Sequence, residues 1–309
     1  MPVPHRADQR PLQLWRLTDG RPGHEKQSLG LAQALARRSA LQCLDLPVRG
    51  TAATGLWSWL SGRFPAGAAL PRPDLILAAG HATHLPALAA RRAHGGRIVV
   101  LMRPSLPLLL FDLCLIPAHD DPPRRANVIP TRGVLNAVAS GGVHDPARGL
   151  ILVGGPSRHY RWDGARVAAQ VRAILQAQPQ VAYTLTTSRR TPDDFLAVLG
   201  APAELDIRPH ETTPAGWIEA ELAACGQAWV TPDSGSMVYE ALTAGCRVGL
   251  LELPPVRGSR LAEDMAALVR EGRVAPWSHF LHTGTLPAPD EGFNEAERCA
   301  RAIIERWYA

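Results

Sequence analysis

Lysine is nearly missing from this chain. Of 309 residues only Lys26 is a lysine, although lysine and arginine together number 33. The excess charge, +5 with a sequence pI near 9.2, is therefore carried by arginine spread along the chain. There is no basic block with interleaved aromatics, which argues against nucleic acid as a partner. Small anionic molecules, or an anionic membrane surface, fit the charge. Cysteine is sparse as well. Cys43, Cys114, Cys225, Cys246 and Cys299 are scattered, odd in number and form no CxxC. That argues against a disulfide framework and against a structural zinc site, and it makes a reducing cytoplasm the expected location. The opening MPVPHRADQR has no apolar leader core. The most apolar stretch, IVVLMRPSLPLLLFDLCLIP, is interrupted by Arg103, Asp112 and three prolines, so it does not read as a spanning helix. Strict fingerprints are missing too: no GxGxxG, no GxSxG, and no DxD-like metal motif at a strand end.

What is present is alternation. LQLWRL (12–17), LQCLDL (41–46), PDLILAAG (73–80) and RIVVLM (97–102) read as strands, with helices over 27–38 and 83–93. The continuous apolar runs mark strands buried on both faces. FDLCLIP and NVIPTRG read as further short strands. The segment ASGGVHDPARG is glycine-rich and polar, and it serves as the domain boundary. A second set follows: LILVGG, a helix from Asp163, VAYTLTTS, a capped helix in TPDDFLAVLG, LDIRP, AWVTPD, SMVYEALTAG, RVGLLEL and two closing helices near 259 and 291–308. Two successive βαβα sets predict two doubly wound α/β domains, residues 1–145 and 146–309, the last helix being a candidate to pack back on the first. In such sheets ligands bind beyond the carboxyl ends of the strands. Two facing domains would put that site in a cleft between them.

Four strand-to-helix loops can carry chemistry. In LTDGRPGHEKQ, Gly20 and Gly23 permit close approach of backbone to a ligand, Asp19 lines the site, and His24 or Glu25 is the candidate general base. A plain strand–helix turn is the competing reading. In LAAGHATHLP, Thr83 is an expected N-cap, and His81 and His84 lack a third ligand at a supporting spacing. They read as structural histidines, with Gly80 and His81 lining the cleft. VGGPSRHYRWD, with Ser157 and Arg158, and TTSRRTPDD, with Ser188, Arg189 and Arg190, suit a diphosphate. Solvated arginines on capped turns are the alternative. In VTPDSGSMVYEALTAG, Asp233, Ser234, Gly235 and Ser236 precede a helix on which Glu240 lies one turn beyond Ser236. GLWSWLSGRFP offers Trp57 and Trp59 either to the core or to a membrane surface.

TDGRPGHEKQSLGLAQAL, GGPSRHYRWD, TTSRRTP and TPDSGSMVYEALTAG, in that order, resemble the ELM-type mitochondrial fission family and its bacterial members. Some bacterial members are labelled nucleoside-diphosphate-sugar epimerases. The YxxxK pair of that chemistry is missing here, since no tyrosine stands four residues before Lys26. The family is in turn similar to GT-B glycosyltransferases, among them the enzyme that makes peptidoglycan lipid II. That resemblance implies two facing Rossmann-like domains. It also implies a histidine-bearing glycine loop at Gly20–His24, a second glycine loop at Ala79–His81, and a ribose-holding glutamate at Glu240. The chain departs from the family pattern in LPPVRGSRLAEDM, where Arg257 and Arg260 stand in place of Lys and Phe.

The resulting expectation is a metal-independent glycosyltransferase needing no cofactor. Its nucleotide-sugar donor lies near Ser157, Arg158, Ser234 and Ser236, with Arg189 or Arg190 offsetting leaving-group charge. The acceptor is unknown, and a membrane-associated one would place the protein at the inner face of the membrane. The competing expectation is a catalytically silent GT-B-like scaffold that recruits partners at a membrane surface.

Overall fold

A computed structural model describes residues 10–48, 52–290 and 292–308. The N-terminal segment read above lies outside these, apart from Arg10. The chain divides into two compact units, residues 1–137 with 295–309, and residues 138–294. The glycine-rich segment that follows Val138 thus runs with the second unit.

The first unit contains β1 (Leu12–Thr18), α1 (Pro22–Ala36), β2 (Leu41–Pro47), α2 (Ala52–Ser61), β3 (Leu75–Ala79), α3 (His84–His94), β4 (Arg97–Leu101), β5 (Leu113–Pro117) and β6 (Val128–Thr131). Its sheet is parallel throughout, in the order β2-β1-β3-β4-β5-β6. Alternate residues serve opposite faces, as the two-residue period of a strand requires. Leu14, Leu75, Val99 and Leu113 pack with Leu31 and Leu35 of α1. Trp15, Ile76, Ile98 and Cys114 pack with Ala87 and Leu88 of α3 on the other side. The C-terminal helix (Glu295–Trp307) also belongs to this unit, and sends Cys299 and Ile303 into the α1 side of the core. Its Glu295 is buried between Arg132 and Arg298, whose hydrogen bonds hold the carboxyl below the usual range although burial opposes them.

Two local details differ from the sequence reading. α1 begins at Pro22, five residues before residue 27, because proline at the first helical position preorganises the turn. Helix α2 stands where no element was assigned.

The second unit contains β7 (Asp145–Leu152), α4 (Gly164–Ala177), β8 (Ala182–Thr186), α5 (Phe195–Leu199), β9 (Leu205–Arg208), α6 (Trp217–Ala224), β10 (Cys225–Val230), α7 (Gly235–Ala244), β11 (Arg247–Leu250), α8 (Arg260–Arg270), β12 (Val274–Pro276) and α9 (Trp277–Thr283). Its sheet is again parallel, in the order β12-β11-β10-β7-β8-β9. Asp163 caps α4 by accepting from the N–H of Arg166 at 2.9 Å. One face of the sheet packs Ile151, Leu185 and Trp229 on Val171 and Ile174 of α4. The other packs Leu150, Ala228 and Val248 on Val238 and Leu242 of α7.

Candidate functional site

Strand order decides which loops meet. In the first sheet the chain runs from β1 outward to β2, then returns to the other side of β1 with β3. The carboxyl ends of β1 and β3 therefore flank a topological switch point, where an open α/β sheet leaves a crevice. The loops that emerge there are Asp19–Arg21 and Gly80–Thr83.

Asp19 is the anchor of this crevice. Its side chain is 3% exposed, and both oxygens are engaged. Oδ1 accepts the N–H of Arg21 at 3.1 Å, and Oδ2 lies 2.8 Å from His24 Nδ1. A carboxylate accepts, so in the neutral imidazole Nδ1 carries the hydrogen and Nε2 the lone pair. Gly80, with φ +87°, lies directly against this pair. A Cβ there would stand 2.2 Å from His24 Nδ1 and 3.0 Å from Asp19 Oδ2. Only a residue without a side chain fits between them. Glu25, the rival base, accepts the N–H of Gly20 at 3.1 Å through Oε1. Gly23 is exposed in the first turn of α1, and a Cβ there would meet nothing.

Under the loop, Arg16 pairs with Asp45 and donates to the carbonyl of Glu25 and to Ser28 Oγ, both at 3.1 Å. Burial works against its charge, but Asp45 prevails and raises its pKa. His81 is exposed and His84 buried. His84 Nδ1 lies 3.2 Å from Ser105 Oγ, and burial, with His81 and His24 nearby, lowers its pKa to about 4. Thr83 stands at the N-cap of α3, but its hydroxyl donates to the carbonyl of Gly80 instead of capping the helix. No cluster of metal-ligating side chains is present among the described residues.

The second sheet repeats the logic with β7 and β10 at its switch point. The loops after β7, β8 and β10 converge on Asp233, whose side chain is fully buried. Its Oδ2 accepts from the N–H of Gly155 at 3.1 Å and from Arg190 Nη2 at 2.7 Å, while Oδ1 has no hydrogen-bond partner among the described residues. A Cβ on Gly154 would stand 2.4 Å from Asp233 Oδ2. The Gly154 N–H donates to Thr231 Oγ1 at 2.7 Å. Arg190 also donates to the carbonyls of Gly155 and Pro156. Ser188 accepts from the N–H of Arg190, and Thr191 ties this loop to the backbone after β7.

Arg190 and Asp233 thus clamp one loop to another, and both Arg189 and Arg190 are exposed. Ser157 Oγ accepts the N–H groups of His159 and Tyr160. Arg158 is exposed and donates to His159. His159 Nδ1 in turn lies 3.0 Å from Ser259 Oγ, so the β7 loop is strapped to the start of α8. At the start of α7, Ser234 and Gly235 are half-buried and Ser236 is exposed, and the first-turn N–H groups have no intrahelical acceptor. Glu240 is buried, a turn further along the helix.

The family model for mitochondrial fission ELM1 matches residues 22–307. The chain belongs to that family. Among curated proteins none matches it. Similar solved structures include a putative UDP-N-acetylglucosamine 2-epimerase from Listeria monocytogenes, at 14% identity, 96% of this chain, 97% of that one and a TM-score of 0.61. MurG of Acinetobacter baumannii is similar at 14% identity, 96% and 99% coverage and a TM-score of 0.54. The UDP-GlcNAc 2-epimerase of Neisseria meningitidis, in a structure bound to UDP-GlcNAc, is similar at 10% identity, 96% and 99% coverage and a TM-score of 0.53. These likenesses establish the fold as that of GT-B glycosyltransferases and sugar-nucleotide epimerases. No helix among the described residues of this ELM1-family chain is long and apolar enough to cross a membrane.

Several organising residues of the ELM1-family chain escape sequence reasoning. Arg16 was detectable, as a charge inside the apolar strand LQLWRL. Thr191, Thr231 and Ser259 carry no such signal, since hydroxyl residues at loop edges are common and their partners lie on other loops.

Proposed function

We propose that this protein transfers a sugar from a nucleotide-sugar donor to a hydroxyl acceptor without a metal ion. The observation that carries the reading is the Asp19–His24 pair at the switch point of the first sheet. It holds an imidazole by Nδ1 and leaves Nε2 as a base. His24 removes the acceptor proton, Asp19 orients the ring and stabilises the imidazolium that forms, and Glu25 is the alternative base. The α7 start and the glycine loop after β7 take the donor diphosphate through backbone N–H groups, with Ser157, Arg158, Ser188, Ser234 and Ser236 as further donors. Glu240 accepts from the donor ribose. In this reading Arg190 acts through Asp233 by shaping the loops, which leaves Arg189 as the mobile cation for leaving-group charge. The likeness to a protein solved with UDP-GlcNAc supports a UDP-sugar as the first donor to test. A membrane-borne acceptor belongs to the same reading.

The test is thermal stability under titration with UDP-, GDP- and CMP-sugars. A true donor at a hundred times its dissociation constant stabilises the fold by ~2.7 kcal/mol. Glu240→Ala removes that shift, and His24→Ala retains it while losing turnover. Absence of any shift with all three nucleotide classes overturns the reading in favour of a non-catalytic scaffold. Release of an epimerised or hydrolysed sugar in the absence of acceptor reassigns the chemistry to that of the epimerases.

A further inference from the structure

Helix α2 turns an apolar face outward. From Ala53 to Ser61 its side chains sort by helical angle into two arcs. Gly55, Ser58 and Trp59 lie on the inner arc: Gly55 rests against Leu85 of α3, and Trp59 packs on the core of the first unit. Leu56, Trp57 and Leu60 fall within about 100° of one another on the opposite side, at 100° per residue. They are 43%, 71% and 58% exposed. The two tryptophans of WSW therefore divide, one to the core and one to solvent. A surface helix of a soluble domain ordinarily puts charges on that outer arc. Here the outer arc holds none, and a clustered exposed apolar patch marks an interaction surface.

The charge around the helix says what the surface meets. The C-terminal end of the helix is flanked by two arginines. Arg63 is exposed just beyond the end of α2, and Arg92 of α3 lies against Gly62 at the same end. Neither has an ion-pair partner among the described residues. A second copy docking symmetrically through this face would bring these two arginines towards their own counterparts. A lipid surface carrying anionic headgroups satisfies both features at once.

We propose that α2 is a peripheral membrane anchor. Trp57, Leu56 and Leu60 enter the interfacial layer, and Arg63 and Arg92 pair with headgroup phosphates. Three apolar side chains make a small anchor, so binding is reversible and weakens with salt. The inference extends the proposed function by giving a membrane-borne acceptor a surface on which to be met, and it stands on observations separate from the sugar-transfer reading.

The experiment uses the full chain with vesicles of phosphatidylcholine alone or mixed with phosphatidylglycerol. Sedimentation with the mixed vesicles only, reduced by added salt, is the expected result. Trp57→Ser combined with Leu60→Ser lowers the affinity by about tenfold or more. Arg63→Glu combined with Arg92→Glu abolishes the preference for anionic lipid. Each variant keeps the wild-type melting temperature and any nucleotide-induced shift. No sedimentation, equal sedimentation with both lipids, or wild-type binding by the serine variant overturns the proposal. So does a dimer that the serine substitutions dissolve in a chain that ignores vesicles, since the occupant is then a second copy. Vesicle binding without any nucleotide-induced shift leaves the anchor standing and overturns the transferase reading alone.

Discussion

Asp19 and His24, five positions apart, are joined at 2.8 Å across the first turn of α1, with the carboxylate buried and the imidazole partly open. A carboxylate that also accepts the N–H of Arg21 cannot swing away from the ring without losing two bonds. It therefore fixes the tautomer as well as the orientation.

The first prediction concerns that tautomer. Asp19→Asn keeps the shape but withdraws the charge that holds Nδ1–H and stabilises an imidazolium. On the proposed mechanism turnover falls by roughly 10²–10⁴, in the range seen when a base loses its orienting carboxylate. Nucleotide-induced stabilisation is unchanged. Nitrogen NMR of His24, showing the hydrogen moved from Nδ1 to Nε2, checks the cause directly. A wild-type tautomer with wild-type turnover removes Asp19 from the mechanism.

Gly80→Ala tests the packing against the pair. The substitution costs backbone strain at φ +87° and drives a methyl group onto His24. Gly95→Ala is the control, because Gly95 has φ +82° and a Cβ there meets nothing. The control measures the backbone cost alone, about 1–3 kcal/mol by urea denaturation. Gly80→Ala costs more than this and loses activity as completely as His24→Ala.

The Arg190–Asp233 clamp gives a stability prediction. Arg190→Ala leaves a fully buried carboxylate with only the N–H of Gly155 as partner. Because the arginine is partly exposed, the loss is about 1–3 kcal/mol, below the ~3–5 kcal/mol of a fully buried pair. Adding Asp233→Asn to Arg190→Ala restores part of it, since no uncompensated charge is then buried. A double variant no more stable than the single one shows that the ion pair does not hold the loops.

His84 predicts a pH dependence. Its folded pKa is near 4, below the unperturbed value of about 6.5, chiefly because it is buried. Above pH 6.5 both states are neutral there and the contribution is fully present. As pH falls from 6.5 towards 4 the unfolded chain takes up a proton that the folded one refuses, and stability drops by up to about 3 kcal/mol. His84→Gln removes this part of the slope in a melting series between pH 7 and 4. An unchanged slope assigns it to other groups.

The β and α segments were largely legible because their signals are local. Apolar runs such as LILAA and RIVVL name buried strands, and Asp163 announces the helix it caps. The helix over 52–61 was not legible. Its outer arc carries the apolar residues, so the usual sign of an inward face is inverted. The loops were legible as a set: Asp19, Gly80, Arg190 and Asp233 stand in strand-to-helix turns, and His24 in the first turn of the helix that follows one. Their partners were not, because Asp233 could serve a ligand or another loop with the same spacing.

The residue order by itself determined two alternating α/β sets, the membership of a family, and the short list of loops able to bind an anion or move a proton. The α/β sets and the loops follow from the period of apolar residues and the chemistry of turn residues, both of which act over a few positions, and the family from the resemblance of whole motif strings. The tertiary structure alone decided that Gly80 lies against Asp19 and His24, that Arg190 belongs to Asp233, and that Trp57 faces solvent while Trp59 faces the core. Strand order brings distant loops to one sheet edge, and burial, which sets whether a charge is a clamp or a contact, exists only once the neighbours are in place.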